Sequence, residues 1–155
     1  MIEYGLLNKD TDSYDLVRHF LQKCDMSFQV PLSQRVDIDS YARKILDHSY
    51  IFLAKENCRT VGLASFYIND FLNRAAYLSL LCVDCNYYRR GIARSLVKLG
   101  LDKVREMQMS VVKVEVFKEN IAAMNLYKSL GFTILANKTP LSVYMQYVCA
   151  LTRSI

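Results

Sequence analysis

Apolar residues along this chain change period several times, and each change marks an expected element. From about residue 12 to 24, Val17, Phe20, Leu21 and Cys24 fall at i, i+3, i+4 and i+7, which is one face of a helix. Residues 38 to 46 repeat the spacing with Ile38, Tyr41, Ala42 and Ile45. Residues 2 to 6 form a short strand candidate ahead of both. Between the helices, "MSFQVPLSQRVD" reads as a loop, with a proline, polar residues and apolar side chains that look exposed. The period then shortens to strand-like. "SYIFLAK" and "TVGLASFYI" flank "ENCR" as the arms of a hairpin do, and "AAYLSLLCV" follows "NDFLNR".

Residues 92 to 107 return to helical spacing. Ala93, Leu96, Val97, Gly100, Val104 and Met107 lie on one face, with Arg94, Lys98, Asp102 and Arg105 on another. "SVVKVEVF" is a valine-rich strand, "NIAAMNLYKSL" a helix, and "FTILAN" and "LSVYMQYVC" are two last strands around "KTP". The order is therefore β-α-α-β-β-β-α-β-α-β-β. The strand–helix–strand unit of the second half implies a parallel pair with a right-handed crossover. The neighbouring hairpins imply antiparallel pairing. The fold class is α/β (α+β): one central, mixed, mostly antiparallel sheet of about seven strands with helices on both faces.

Composition narrows this picture. The chain has 155 residues, 52% hydrophobic and 23% charged, which suits a packed core and a single domain over residues 1–155. No apolar run reaches the roughly 18 to 20 residues of a membrane span, and "MIEYGLLNKDTDSYD" has no basic region followed by an apolar segment. The expectation is a cytoplasmic protein without a membrane partner; a homodimer is compatible with it. The net charge of +5 is spread along the chain, so a nucleic-acid partner is not indicated, while a small polyanion fits. Five cysteines, an odd number, argue against a disulfide framework. Cys82 and Cys85 form a lone CxxC, but only His19 and His48 could complete a metal site, both at unrelated spacings. Packing residues and no metal are expected.

Candidate chemistry begins at "NYYRRGIARSL", residues 86 to 96, where a strand gives way to a helix. A helix start exposes about four unpaired backbone N–H groups and the positive end of the helix dipole, which suit phosphate. Gly91 permits a tight turn and close approach, Ala93 keeps the next turn open, Arg89, Arg90 and Arg94 add charge, and Ser95 offers a hydroxyl. The same residues would also make an ordinary helix start with solvated arginines. Downstream, Asn120 is a good N-cap and Gly131 sits where glycine ends helices. Ala123, Leu126, Tyr127 and Leu130 share a face turned towards the sheet, so Tyr127 is equally a core tyrosine.

Together the two stretches, "LLCVDCNYYRRGIARSL" and "VFKENIAAMNLYKSLGF", resemble the GNAT superfamily of acetyl-CoA-dependent N-acetyltransferases. The first is similar to its Q/R-x-x-G-x-G/A pyrophosphate loop, with Tyr88 at the Q/R position. The second is similar to its N-x-x-A-x-x-x-Y-x-x-x-G-F segment, matched by Asn120, Ala123, Tyr127, Gly131 and Phe132. The element order agrees along nearly the whole chain. The resemblance implies transfer of acetyl from acetyl-CoA, the cosubstrate, to an amine acceptor. That acceptor is a small molecule such as an amino sugar or polyamine, or a peptide N-terminus. A module that binds acetyl-CoA without turnover is the alternative.

The resemblance also implies roles. Pyrophosphate would rest on the amides of Arg89, Arg90, Gly91, Ile92, Ala93, Arg94 and Ser95, with Arg89 or Arg90 adding charge. The pantetheine arm would pair with Leu81, Cys82 and Val83 and touch Asn120. Tyr127 would protonate the leaving thiolate, or at least hydrogen-bond it. Glu115 matches the glutamate of enzymes that acetylate ribosomal-protein N-termini and is the first candidate base; it equally suits pairing with a surface lysine. Asp84 and His48 are remoter candidates, and other branches place a glutamate where Tyr77 stands. The acceptor side would use Phe28, Pro31, Leu32 and Arg35 of the loop, with Tyr144 and Tyr147 of the last hairpin.

Overall fold

The structure, a computed structural model, describes residues 1–150. Its elements follow the expected order: β1 (Glu3–Leu6), α1 (Ser13–Cys24), α2 (Ile38–His48), β2 (Tyr50–Glu56), β3 (Arg59–Asp70), β4 (Ala75–Val83), α3 (Ile92–Glu106), β5 (Val111–Phe117), α4 (Ile121–Ser129), β6 (Thr133–Thr139) and β7 (Ser142–Val148). The seven strands form one sheet in the order β1-β2-β3-β4-β5-β7-β6. Only β4 and β5 pair in parallel; the other pairs are antiparallel. No helix among the described residues is long and apolar enough to cross a membrane.

Each face of the sheet is covered by the helices whose apolar stripes predicted it. Val17, Phe20, Leu21 and Cys24 of α1 and Ala42 and Ile45 of α2 close a core over Ile51, Leu53 and Leu63. On the opposite face Leu96, Val97, Leu101 and Val104 of α3 cover Phe52, Phe66 and Ala64. The expected stripe of α3 omitted Leu101, which is buried. Gly100 exists because of a close approach: a Cβ there would lie 2.0 Å from the Phe66 ring. The β2–β3 turn is made by Asn57 and Cys58, both at positive φ (50° and 64°), the geometry that matches the twist of a two-residue hairpin.

Two details differ from expectation. Leu32 is 2% exposed and packs in the α1–α2 core, so this apolar side chain of the 25–37 loop is an anchor and not a surface group. The last hairpin turns at Pro140 and Leu141, because β6 continues through Lys138 and Thr139.

The decisive feature lies in β4. Phe66 of β3 pairs with Leu78 while Ser65 pairs with Leu80, so Ser79 is an extra residue, a bulge. A one-residue insertion moves every later side chain to the other face. Ala76 and Leu78 accordingly belong to the core under α3, whereas Leu80 and Cys82 belong to the core under α1 and α2. Pairing of β4 with β5 ends at Leu78 and Val114. Beyond that point the two strands run on to Val83 and Phe117 without bonding each other, and the sheet opens between them.

Candidate active site

The opening between β4 and β5 is a groove of about 710 Å³. One wall is the unpaired edge of β4, from Leu80 to Val83. The other is Glu115 to Phe117 of β5 with Asn120, Ala123 and Tyr127 of α4. Its floor end reaches the start of α3, and its opposite mouth is rimmed by Phe28, Gln29 and Arg35 of the loop after α1. Three separate segments thus meet where two strands part.

At the α3 end, Gly91 takes the left-handed conformation (φ 75°), and nothing stands within 4 Å of where its Cβ would be. The first helical bond runs from the Ser95 N–H to the Gly91 carbonyl at 3.1 Å. The N–H groups of Ile92, Ala93 and Arg94 therefore precede the helical ladder and have no intrahelical acceptor. Arg89, also at positive φ (63°), lines the groove. The other two loop arginines each hold a partner within the protein, although Arg94 also lines the groove. Arg90 pairs with Glu56 at 3.3 Å and lies over the Tyr87 ring, off the groove. Arg94 donates to the Ser129 hydroxyl of α4. Ser95 does not line the groove, while Tyr88 does.

The loop is held from below by Asp84, which is 3% exposed. Burial would raise this carboxyl, but a 2.7 Å bond from Lys23 Nζ and a 3.0 Å bond from the Asn86 N–H hold it below the ordinary carboxylate range. Asp84 therefore supports the turn and does not face the groove; His48 also lies off it. Neither remoter base candidate is positioned for that role. The CxxC resolves into unlike halves: Cys85 is exposed, while Cys82 turns its thiol into the core against Cys24. Cys82 lines the groove between Leu81 and Val83, with its thiol turned away into the core.

Tyr127 is 4% exposed, its ring packed on Phe132 with centroids 5.2 Å apart. Burial, with a smaller contribution from Tyr77, raises its phenol above the ordinary value. No protein group among the described residues bonds its hydroxyl. Asn120 caps α4 by accepting from the Ala123 N–H at 3.1 Å, which leaves its own amide N–H donors for the groove. Glu115 projects from β5 on the α1–α2 side. Lys138 Nζ lies 3.1 Å from one carboxylate oxygen, and the Ser142 hydroxyl donates to the other at 2.8 Å. Tyr77 stands near it. Burial and then the Glu115 charge push that phenol up to about 12.

Among the expected acceptor residues, Phe28 and Arg35 rim the groove, with the Arg35 guanidinium 5.7 Å from the Phe28 ring and 5.8 Å from the Phe117 ring. Leu32 is core. Tyr144 is the register partner of Glu115 and sits under Lys138, but it does not line the groove. Tyr147 is on the opposite face, packed on Phe132 and bonded by Arg105 at 2.8 Å; the alternation along β7 separates it from Tyr144. Tyr77, Ser79 and Phe117 line the groove and were not predicted as acceptor residues. The odd positions of β5 carried a signal for Phe117, since they share the Glu115 face. The bulge that exposes Ser79 left no mark in the sequence.

The fold is that of a family of transferases, and the chain belongs to it: residues 14–132 match the Acetyltransferase (GNAT) family. The [ribosomal protein bS18]-alanine N-acetyltransferase of Escherichia coli (strain K12) is 35% identical over 81 residues, covering 50% of this chain and 55% of that protein. N-alpha-acetyltransferase 30 of Xenopus laevis is 28% identical over 149 residues, covering 93% of this chain and 54% of that protein. The chain spans about half or less of the length of the curated relatives it matches. Among solved structures, a NatC complex bound to Gag peptide and CoA superposes with a TM-score of 0.79 at 20% identity, over 96% of this chain and 99% of that one.

Proposed function

We propose that this chain transfers acetyl from acetyl-CoA to the α-amine of a peptide N-terminus. The observation that carries the reading is the parting of β4 and β5 after Leu78 and Val114, which joins the free amides of α3 to Tyr127 and Glu115 in one groove. The groove's residues fit the cosubstrate: open space at Gly91, three amides without helical partners, and an unpaired strand edge for an amide-bearing arm. Acetyl-CoA supplies an acetyl thioester, whose acetyl carbon passes to the amine nitrogen as the sulfur departs. The amides of Ile92, Ala93 and Arg94, with Arg89, hold the pyrophosphate. Leu81 to Val83 and the Asn120 amide orient the pantetheine arm.

Tyr127 donates a hydrogen bond to the departing sulfur. Its raised phenol makes full proton transfer to a thiolate, ordinarily near 8.5, less favourable than hydrogen bonding. Glu115 receives the proton of the attacking amine. A peptide acceptor is preferred to an amino sugar or a polyamine because the matching relatives bear the names of N-alpha- and alanine N-acetyltransferases.

A reading without turnover draws on Glu115, whose two oxygens are both engaged by Lys138 and Ser142. One experiment separates the readings. Acetyl-CoA should raise the melting temperature, and peptides with free N-termini should release thiol from it. A thermal shift with no thiol from any amine selects the binding module. Release with small amines but not peptides overturns the acceptor class.

A further inference from the structure

The groove mouth holds a cation that forms no ion pair among the described residues. Arg35 lies over two rings, Phe28 and Phe117, at 5.7 and 5.8 Å. Such contacts hold a guanidinium near the rings without using its N–H donors, which stay available to a planar, bidentate acceptor. Among the described residues no carboxylate lies within 4.0 Å of it. The acids nearby are committed elsewhere. Asp25 accepts from the Ser33 N–H and hydroxyl at 2.7 and 2.6 Å. Glu115 is bound by Lys138 and Ser142, and Glu119 accepts from Gln29 at 3.4 Å.

We propose that Arg35 selects acceptor peptides carrying a carboxylate on their second or third residue, an inference that rests on the peptide N-terminal reading above. Position sets the register. Glu115 and Phe117 point to the same side of β5, about 7 Å apart at the rise of a strand. An extended peptide advances about 3.3 Å per residue. With its amine between Tyr127 and Glu115, its second or third side chain comes level with Phe117 and the guanidinium above it. An aspartate or glutamate there meets a preorganised fork; a lysine or arginine meets like charge.

The test is thiol release from acetyl-CoA by the full chain, with peptides that begin with Ala or Met. Residues 2 and 3 are both Asp, both Asn or both Lys. The readout is the ratio of kcat/KM values within each protein, which a general loss of folded enzyme does not alter. The acidic peptides should exceed the neutral ones by roughly tenfold at low salt, the advantage shrinking as salt is raised. In Arg35→Ala the ratio should collapse towards one, and in Arg35→Glu the lysine peptides should become the best of the three. Equal ratios in the unaltered chain, or an acidic preference surviving in Arg35→Ala, overturn the assignment while leaving N-terminal acetylation intact. If no peptide of any charge releases thiol, the peptide reading fails and this inference falls with it.

Discussion

Lys23 Nζ stands 2.7 Å from an Asp84 carboxylate oxygen, and this contact ties the last turn of α1 to the turn that leads into α3. The loop that brings Phe28 and Arg35 to the groove starts two residues after Lys23, and the loop that presents the free amides starts one residue after Asp84. A partly exposed cation thus steadies both ends of the groove. Asp84→Ala should cost roughly 1–3 kcal/mol, since Lys23 can return to water while the Asn86 amide loses its acceptor. Urea unfolding measures this, and the acetyl-CoA thermal shift should shrink in parallel. The folded carboxyl is held below its ordinary value near 3.8, so its contribution is present above that pH and lost as pH falls below it.

Gly91→Ala tests the start of α3. The new methyl meets no protein atom, but an alanine at φ 75° costs about 1 kcal/mol. The melting temperature should fall by a few degrees, and the acetyl-CoA Kd measured by calorimetry should rise because the methyl sits in the ligand's approach.

Tyr127→Phe and Glu115→Gln should separate chemistry from binding. The phenylalanine keeps the ring packed on Phe132 and loses only the hydroxyl. Turnover should fall by roughly 10²-fold in each variant, with the acetyl-CoA thermal shift retained in both. A Tyr127→Phe enzyme of undiminished kcat would remove that residue from the chemistry.

Stability should decline in alkali below the range where arginines titrate. Burial pushes Tyr67 and Tyr77 up to about 12 from the ordinary 10. Raised phenols favour the folded state below pH 10, and that contribution is lost as pH rises from 10 through 12. Unfolding midpoints at pH 9 and pH 11 check the direction. The Tyr67 hydroxyl is buried without a protein partner, so Tyr67→Phe should flatten the decline and raise stability at neutral pH by up to about 1 kcal/mol.

Gly100→Ala should be among the most damaging single-methyl changes. Phe66, fully buried and edge-on to Phe52 at 5.9 Å, leaves no room for a Cβ 2.0 Å from its ring. Overpacking of this kind costs roughly 1–3 kcal/mol, readable as a lowered urea midpoint without a change in slope.

Much of the architecture was legible because it rests on periodicity. The stripe Val17–Phe20–Leu21–Cys24 and the alternating Val112, Val114 and Val116 of β5 each bury one face, since a helix or strand must hide one side whatever its partners are. Candidate residues were legible where backbone chemistry is local. Gly91 sits at positive φ, Asn120 caps α4, and Tyr127 is carried inward by its helix face.

Residues whose position depends on a partner strand were not. Leu32 reads as an exposed apolar loop residue and is a core anchor. Tyr144 and Tyr147 read as neighbours, yet they lie on opposite faces of β7. Arg90 reads as phosphate-facing and pairs with Glu56, a residue 34 positions earlier.

By itself the sequence determined the order of elements and the two amphipathic layers, set by short-range spacing, and it carried the two stretches that resemble the motifs of the GNAT family. The tertiary structure alone decided that Ser79 bulges, that β4 and β5 part after Leu78 and Val114, and that Arg35 lies near two rings with no carboxylate among the described residues within 4.0 Å. Those depend on register and on contacts between segments far apart in the chain, and no local pattern encodes which residue will be the unpaired one.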